Sequence, residues 1–76
     1  MSRLAWQCRR GMRELDELLQ RYLAQCYPQA SPAEQRAFER LLQDQDPQLQ
    51  AYLLSDERPP DPELRNVVDA IREHRS

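Results

Sequence analysis

Arg9, Arg10 and Arg13 crowd around Gly11, and Glu14 and Asp16 follow directly behind. Guanidinium and carboxylate groups gathered about one bend suit oriented, charge-assisted hydrogen bonding to another surface, the stronger class of protein hydrogen bond. They do not suit shared acid–base work. At about 100° per residue on a helix, Glu14 and Asp16 project to the two flanks of an apolar stripe, which is wrong for two carboxyl groups that must act on one bond. Gly11 is the only glycine in 76 residues. In a helical chain it marks a place where the backbone needs positive φ or where another surface comes close.

Other chemistries find little support. His74 stands alone in the tail, and there is no Gly-rich phosphate loop, HExxH or CxxC. Cys8 and Cys26 are too far apart in sequence for a CxxC pair and read as reduced, apolar-face residues of a reducing compartment. No catalytic residue, no metal site and no stably bound cofactor are therefore expected, and the chain is not read as an enzyme. A net charge of -2 and a pI near 5.3 argue against a nucleic-acid partner. No run approaches the roughly 18 apolar residues of a spanning helix. Neither a signal-peptide core nor room for a transit peptide is found between Met1 and Gly11. The expectation is a monomer of the bacterial cytoplasm, with no insertion into a membrane.

The elements that must position the charged stretch are helices. A mean hydropathy of -0.95 with 32% charged residues is compatible with disorder, so periodicity has to decide. Ser2 can cap a first helix over residues 3–10, with Leu4, Ala5 and Cys8 on one side and Trp6, offset from them, expected to anchor it in the core, ahead of a second reading as a partner contact. The second helix, over residues 12–27, carries the clearest stripe: Leu15, Leu18, Leu19, Tyr22, Leu23 and Cys26. Glu17 and Arg21 form an i,i+4 pair on its outer side, and Pro28 stops it.

Three later helices share one start signal, a capping residue followed by proline: Ser31-Pro32, Asp46-Pro47 and Asp61-Pro62. Their spans are residues 32–43, with Glu34 completing a capping box, residues 47–54, and residues 62–73. Inward residues are Ala37, Phe38, Leu41 and Leu42, then Leu49, Tyr52 and Leu53, then Leu64, Val67, Val68 and Ile71. Residues 74–76 should fray. The fold class is all-α: one domain over residues 1–76, a compact bundle of five short helices.

For the opening stretch, composition leaves two readings. In one, Gly11 is the cap between two helices, Glu14 reaches back to a cap amide and the arginines are a solvated face. In the other, the stretch is a binding motif.

Arg10-Gly11-Met12-Arg13-Glu14 resembles the RGxxE motif of the small succinate dehydrogenase assembly factors that promote covalent FAD attachment to the flavoprotein subunit. The wider run from Cys8 to Asp16, with Trp6 just before it, is similar to the bacterial branch of that family. The likeness extends over nearly the whole chain, since Phe38, Leu41, Leu42, Asp46-Pro47 and Tyr52-Leu53 fall where the family has its third and fourth helices. Tyr52 stands where relatives often carry Trp, and the longer C-terminal tail of some relatives is missing.

The resemblance implies a five-helix bundle and a chaperone-like role. It implies binding to the flavoprotein subunit of succinate dehydrogenase, and to that of the related fumarate reductase, in a way that favours bonding of FAD to a histidine of that subunit. FAD is then the partner's cofactor and the bond-forming chemistry the partner's own. Arg10, Gly11 and Glu14 are carried over as the partner-binding motif, with Arg9, Arg13 and Asp16 added by proximity. Two other classes stay open: an antitoxin-like regulatory interaction module, and a helical nucleic-acid binder using Arg9, Arg10 and Arg13.

Overall fold

A computed structural model describes residues 3–73, so the expected cap at Ser2 and the expected fraying of His74, Arg75 and Ser76 lie outside the described residues. The described chain forms α1 (Arg3–Gln7), α2 (Arg13–Gln25), a 3-10 turn (Tyr27–Gln29), α3 (Pro32–Leu41), α4 (Asp46–Leu53) and α5 (Pro62–Glu73), with no strand among the described residues. Its extents of 28 × 27 × 24 Å are nearly equal, so the short helices wrap one core rather than run side by side.

The core is the set of stripes read from the sequence. Leu15, Leu18, Leu19 and Tyr22 of α2 meet Ala37, Phe38 and Leu41 of α3, with Leu49, Tyr52 and Leu53 of α4 and Val67, Val68 and Ile71 of α5 closing the cluster. Leu23 and Cys26 are only half-buried at its edge, so the stripe of α2 narrows toward its C-terminal end. The Tyr22 and Phe38 rings pack with centroids 4.7 Å apart, and Tyr27 meets the same Phe38 ring at 5.7 Å. Both are tilted arrangements, which keep ring edges against ring faces.

Proline and cap chemistry set the helix starts. Ser31 Oγ accepts the Glu34 amide at 3.2 Å, and Pro32 fills the first turn, where its missing N–H costs nothing. Only half of the expected capping box forms. The Glu34 carboxylate instead accepts the Tyr22 hydroxyl at 2.9 Å and ties α3 to α2. Asp61 starts α5 as expected: its carboxylate accepts the Glu63 amide at 2.8 Å, and its carbonyl accepts the Arg65 amide at 2.9 Å. Arg40 pairs with the same carboxylate at 2.6 Å, which holds the Asp61 carboxyl below its usual range.

Five expectations are corrected. α1 ends at Gln7 rather than residue 10, because the chain tightens there: the Arg9 amide reaches the Trp6 carbonyl at 3.0 Å and Cys8 turns fully into the core. α2 stops at Gln25 and α3 at Leu41, each two residues short; Pro28 has no N–H to continue the first, and residues 42–44 close in tight turns after the second. Asp46 is the first residue of α4 rather than its cap, Gln45 taking that position without a side-chain bond. Trp6, assigned to the core, is 61% exposed. On the outer face of α2, Glu17 pairs with Arg13 at 3.3 Å, one turn before it in the helix.

Leu19 is fully buried in the middle of the α2 stripe. Leu19→Ala should therefore destabilise by about 2–5 kcal/mol, as cavity-forming substitutions do. Urea unfolding followed by helix signal measures this, and a loss below about 0.5 kcal/mol would be the value of an exposed position.

Candidate partner-binding site

The turn between α1 and α2 is built on Gly11, whose φ is +84°. That backbone is strained for any residue with a side chain. A Cβ placed there would meet nothing within 4 Å, so it is the dihedral, and no contact within the chain, that calls for glycine. The space above Gly11 is open.

Asp16, in the first turn of α2, holds the turn from behind. Its two carboxylate oxygens accept the consecutive amides of Arg10, at 2.7 Å, and Gly11, at 3.2 Å. A negative group in the first turn is also favoured by the helix dipole. Asp16 thus does the reaching back that the capping reading gave to Glu14. Glu14 makes no hydrogen bond or ion pair among the described residues and is exposed.

Arg10 points inward, against the expectation of an exposed group. Its side chain is 17% exposed and lies at the end of α3. Nη2 donates to the Leu42 carbonyl, Nη1 lies 3.5 Å from the Asp44 carbonyl, and Nη1 is 3.6 Å from Asp46 Oδ1. A cation is favoured at a helix C-terminus, where carbonyls lack intrahelical partners. Nε is buried without a partner among the described residues.

Of the six sequence-assigned residues, Arg9, Gly11, Arg13 and Glu14 lie at the surface, whereas Arg10 and Asp16 are turned to the chain itself. Among the described residues Arg13 pairs only with Glu17, in an exposed contact of a kind worth little in stability. Arg9 stands 5.7 Å from the centroid of the Trp6 ring, a cation–π approach. Trp6 is the exposed large hydrophobic side chain among the described residues and makes one surface with Arg9. Its angular position held the signal: about 200° from both Leu4 and Cys8 on a helix, it points away from the buried side.

Beneath the turn, burial pushes the Cys8 thiol up to about 11, with Arg10 pulling it down and Asp16 raising it. Two surface depressions are lined elsewhere, one of about 350 Å³ by Arg58, Asp69, Arg72 and Glu73 and one of about 140 Å³ by Ser31, Ala33, Glu34, Glu63 and Asn66. In the first, the arginines are already paired, Arg58 with Asp69 at 3.4 Å and Arg72 with Asp56 at 3.3 Å. No group of His, Cys, Asp and Glu among the described residues is arranged to hold a metal ion.

Comparison with known proteins gives the chain a family. Residues 2–75 match the family described as the flavinator of succinate dehydrogenase. The chain belongs to that family. It is 45% identical over 71 residues to the FAD assembly factor SdhE of Legionella pneumophila (strain Paris), covering 93% of this chain and 89% of that protein. It is 46% identical over 71 residues to the FAD assembly factor SdhE of Methylococcus capsulatus (strain Bath), covering 93% and 86%. The same protein of Pectobacterium atrosepticum is 41% identical over 71 residues, covering 93% and 81%. No solved structure matches the chain.

The buried thiol carries a pH prediction. Cys8 keeps its proton to about 11 in the fold but loses it near 9.0 when unfolded, so its contribution is complete below 9 and is lost as pH rises through 11. The phenol of Tyr22, raised by burial and by its bond to Glu34, acts in the same direction at higher pH. Thermal unfolding should show the midpoint falling between about pH 9 and pH 11, and Cys8→Ala should flatten that fall. An equally steep fall in Cys8→Ala would show that the thiol is not its source.

Proposed function

We propose that this chain promotes covalent attachment of FAD to the flavoprotein subunit of succinate dehydrogenase, docking on that subunit through Trp6, Arg9, Gly11, Arg13 and Glu14. Membership of the flavinator family supports the activity, and the surface around the Gly11 turn supports the docking face. The observation that carries the reading is Glu14: an exposed carboxylate without a partner among the described residues, beside a backbone left open above Gly11. Such a group is free to accept charge-assisted hydrogen bonds from a partner, while the absent Gly11 side chain lets a partner backbone approach.

On this reading the chain acts in the cytoplasm as a monomer without catalysing the bond itself. Its binding energy favours the state of the flavoprotein subunit in which FAD bonds to a histidine, and the flavin stays with the partner. The flavoprotein subunit of fumarate reductase is a second client of the same face.

Glu14→Ala tests the assignment. It opens no cavity, and losing a favourable group in the first turn of α2 costs the fold only about 0.3–1 kcal/mol. Losing a charge-assisted contact whose opposite charge stays buried costs binding about 2–5 kcal/mol, a factor of roughly 30 or more in affinity. Flavin fluorescence of the flavoprotein subunit in a denaturing gel should fall to the level seen without this protein, at an unchanged unfolding midpoint. Full fluorescence with a normal fold would remove Glu14 from the binding surface.

A further inference from the structure

We infer that Arg10 is a positioning residue: it acts on the partner through the α1–α2 turn, which it latches to the end of α3, and does not itself touch the partner. This inference rests on the reading of residues 6–14 as the docking surface.

Three observations carry it. The guanidinium is turned away from solvent, its side chain 17% exposed. Its two terminal nitrogens are committed across 32 to 36 residues of sequence to three acceptors, the carbonyls of Leu42 and Asp44 and the carboxylate of Asp46. Its own amide is held by Asp16, so the residue is fixed at the main chain by α2 and at the side chain by the α3–α4 connection. Gly11 and Glu14 follow directly on this anchor.

The acceptors explain why the position is arginine. A planar fork with five donors spans two carbonyls and a carboxylate at once, whereas an ammonium is a point charge on a flexible stem. Without the latch, the turn keeps Asp16 and the burial of Cys8 and Met12 among the described residues. A turn containing a positive-φ glycine then samples other geometries, and a partner has to select the docking one. The motif therefore divides its work: Arg10 fixes the turn, Gly11 shapes it and Glu14 makes the contact.

Arg10→Lys, which keeps the charge and much of the stem, tests this with two readouts: amide exchange at residues 10 and 11, and affinity for the purified flavoprotein subunit. The latch predicts exchange about tenfold faster and affinity about tenfold weaker, the size of one lost hydrogen bond to a charged group, with exchange at the Leu19 amide unchanged. Asp46→Ala, which removes only the carboxylate from the latch, should move both readouts the same way by less. Weaker binding with unchanged exchange at residues 10 and 11 would overturn the inference, since Arg10 would then touch the partner. Faster exchange with unchanged affinity would overturn it equally, because the latch would have no bearing on docking. Failure of the unsubstituted protein to bind the subunit would sink the docking reading itself, and with it the partner half of the inference, while exchange would still decide whether Arg10 holds the turn.

Discussion

The chain reverses between α1 and α2 at a backbone dihedral that only glycine adopts without strain, and most of what is distinctive in the structure follows from holding that reversal in place. A tight turn between a five-residue helix and a thirteen-residue one has little to stabilise it locally. The structure supplies three holds from three directions. Asp16 takes two consecutive amides, Cys8 enters the core, and Arg10 reaches the carbonyls past the end of α3. Asp16 and Arg10 hold it by charge-assisted hydrogen bonds, and Cys8 holds it by burial.

Stability and binding are assigned to different residues. The core is made from the inner faces of α2 to α5, and the buried side chains among the described residues are hydrophobic. Exposed residues near the turn add little: the Arg13–Glu17 pair is open to water and screened by salt. Trp6 lies with most of its surface in water. Aromatic side chains and arginines concentrate binding energy when desolvated against a partner. Trp6 with Arg9 standing over its ring offers that combination.

Much of the fold was legible because its signals are local. Ser31 and Asp61 carry their caps in adjacent residues, and the stripe from Leu15 to Tyr22 is one helical period repeated. The helix ends were less legible, since tight turns after Gln7 and Leu41 form without proline or glycine to mark them. Asp46 resembled a cap in sequence, but Gln45 takes that position and the Asp46 carboxylate lies 3.6 Å from Arg10 Nη1. The direction of Arg10 itself could not be read. Its main acceptors are main-chain carbonyls of Leu42 and Asp44, and a carbonyl leaves no trace in residue type. Trp6 was misplaced because size was weighed over angle, although Leu4 and Cys8 already defined the buried side of α1. The positive φ of Gly11, the exposure of Glu14 and the family likeness were legible from the motif alone.

The central claim is that the surface spanning residues 6–14 is what the flavoprotein subunit covers. Amide hydrogen exchange of this protein, free and bound to that subunit, measures it residue by residue. The account predicts that slowing on binding centres on residues 6–14 and extends into the first turn of α2, with α5 unaffected. Slowing centred on α5 or on the α4–α5 connection, with residues 6–14 exchanging as in the free protein, would contradict it.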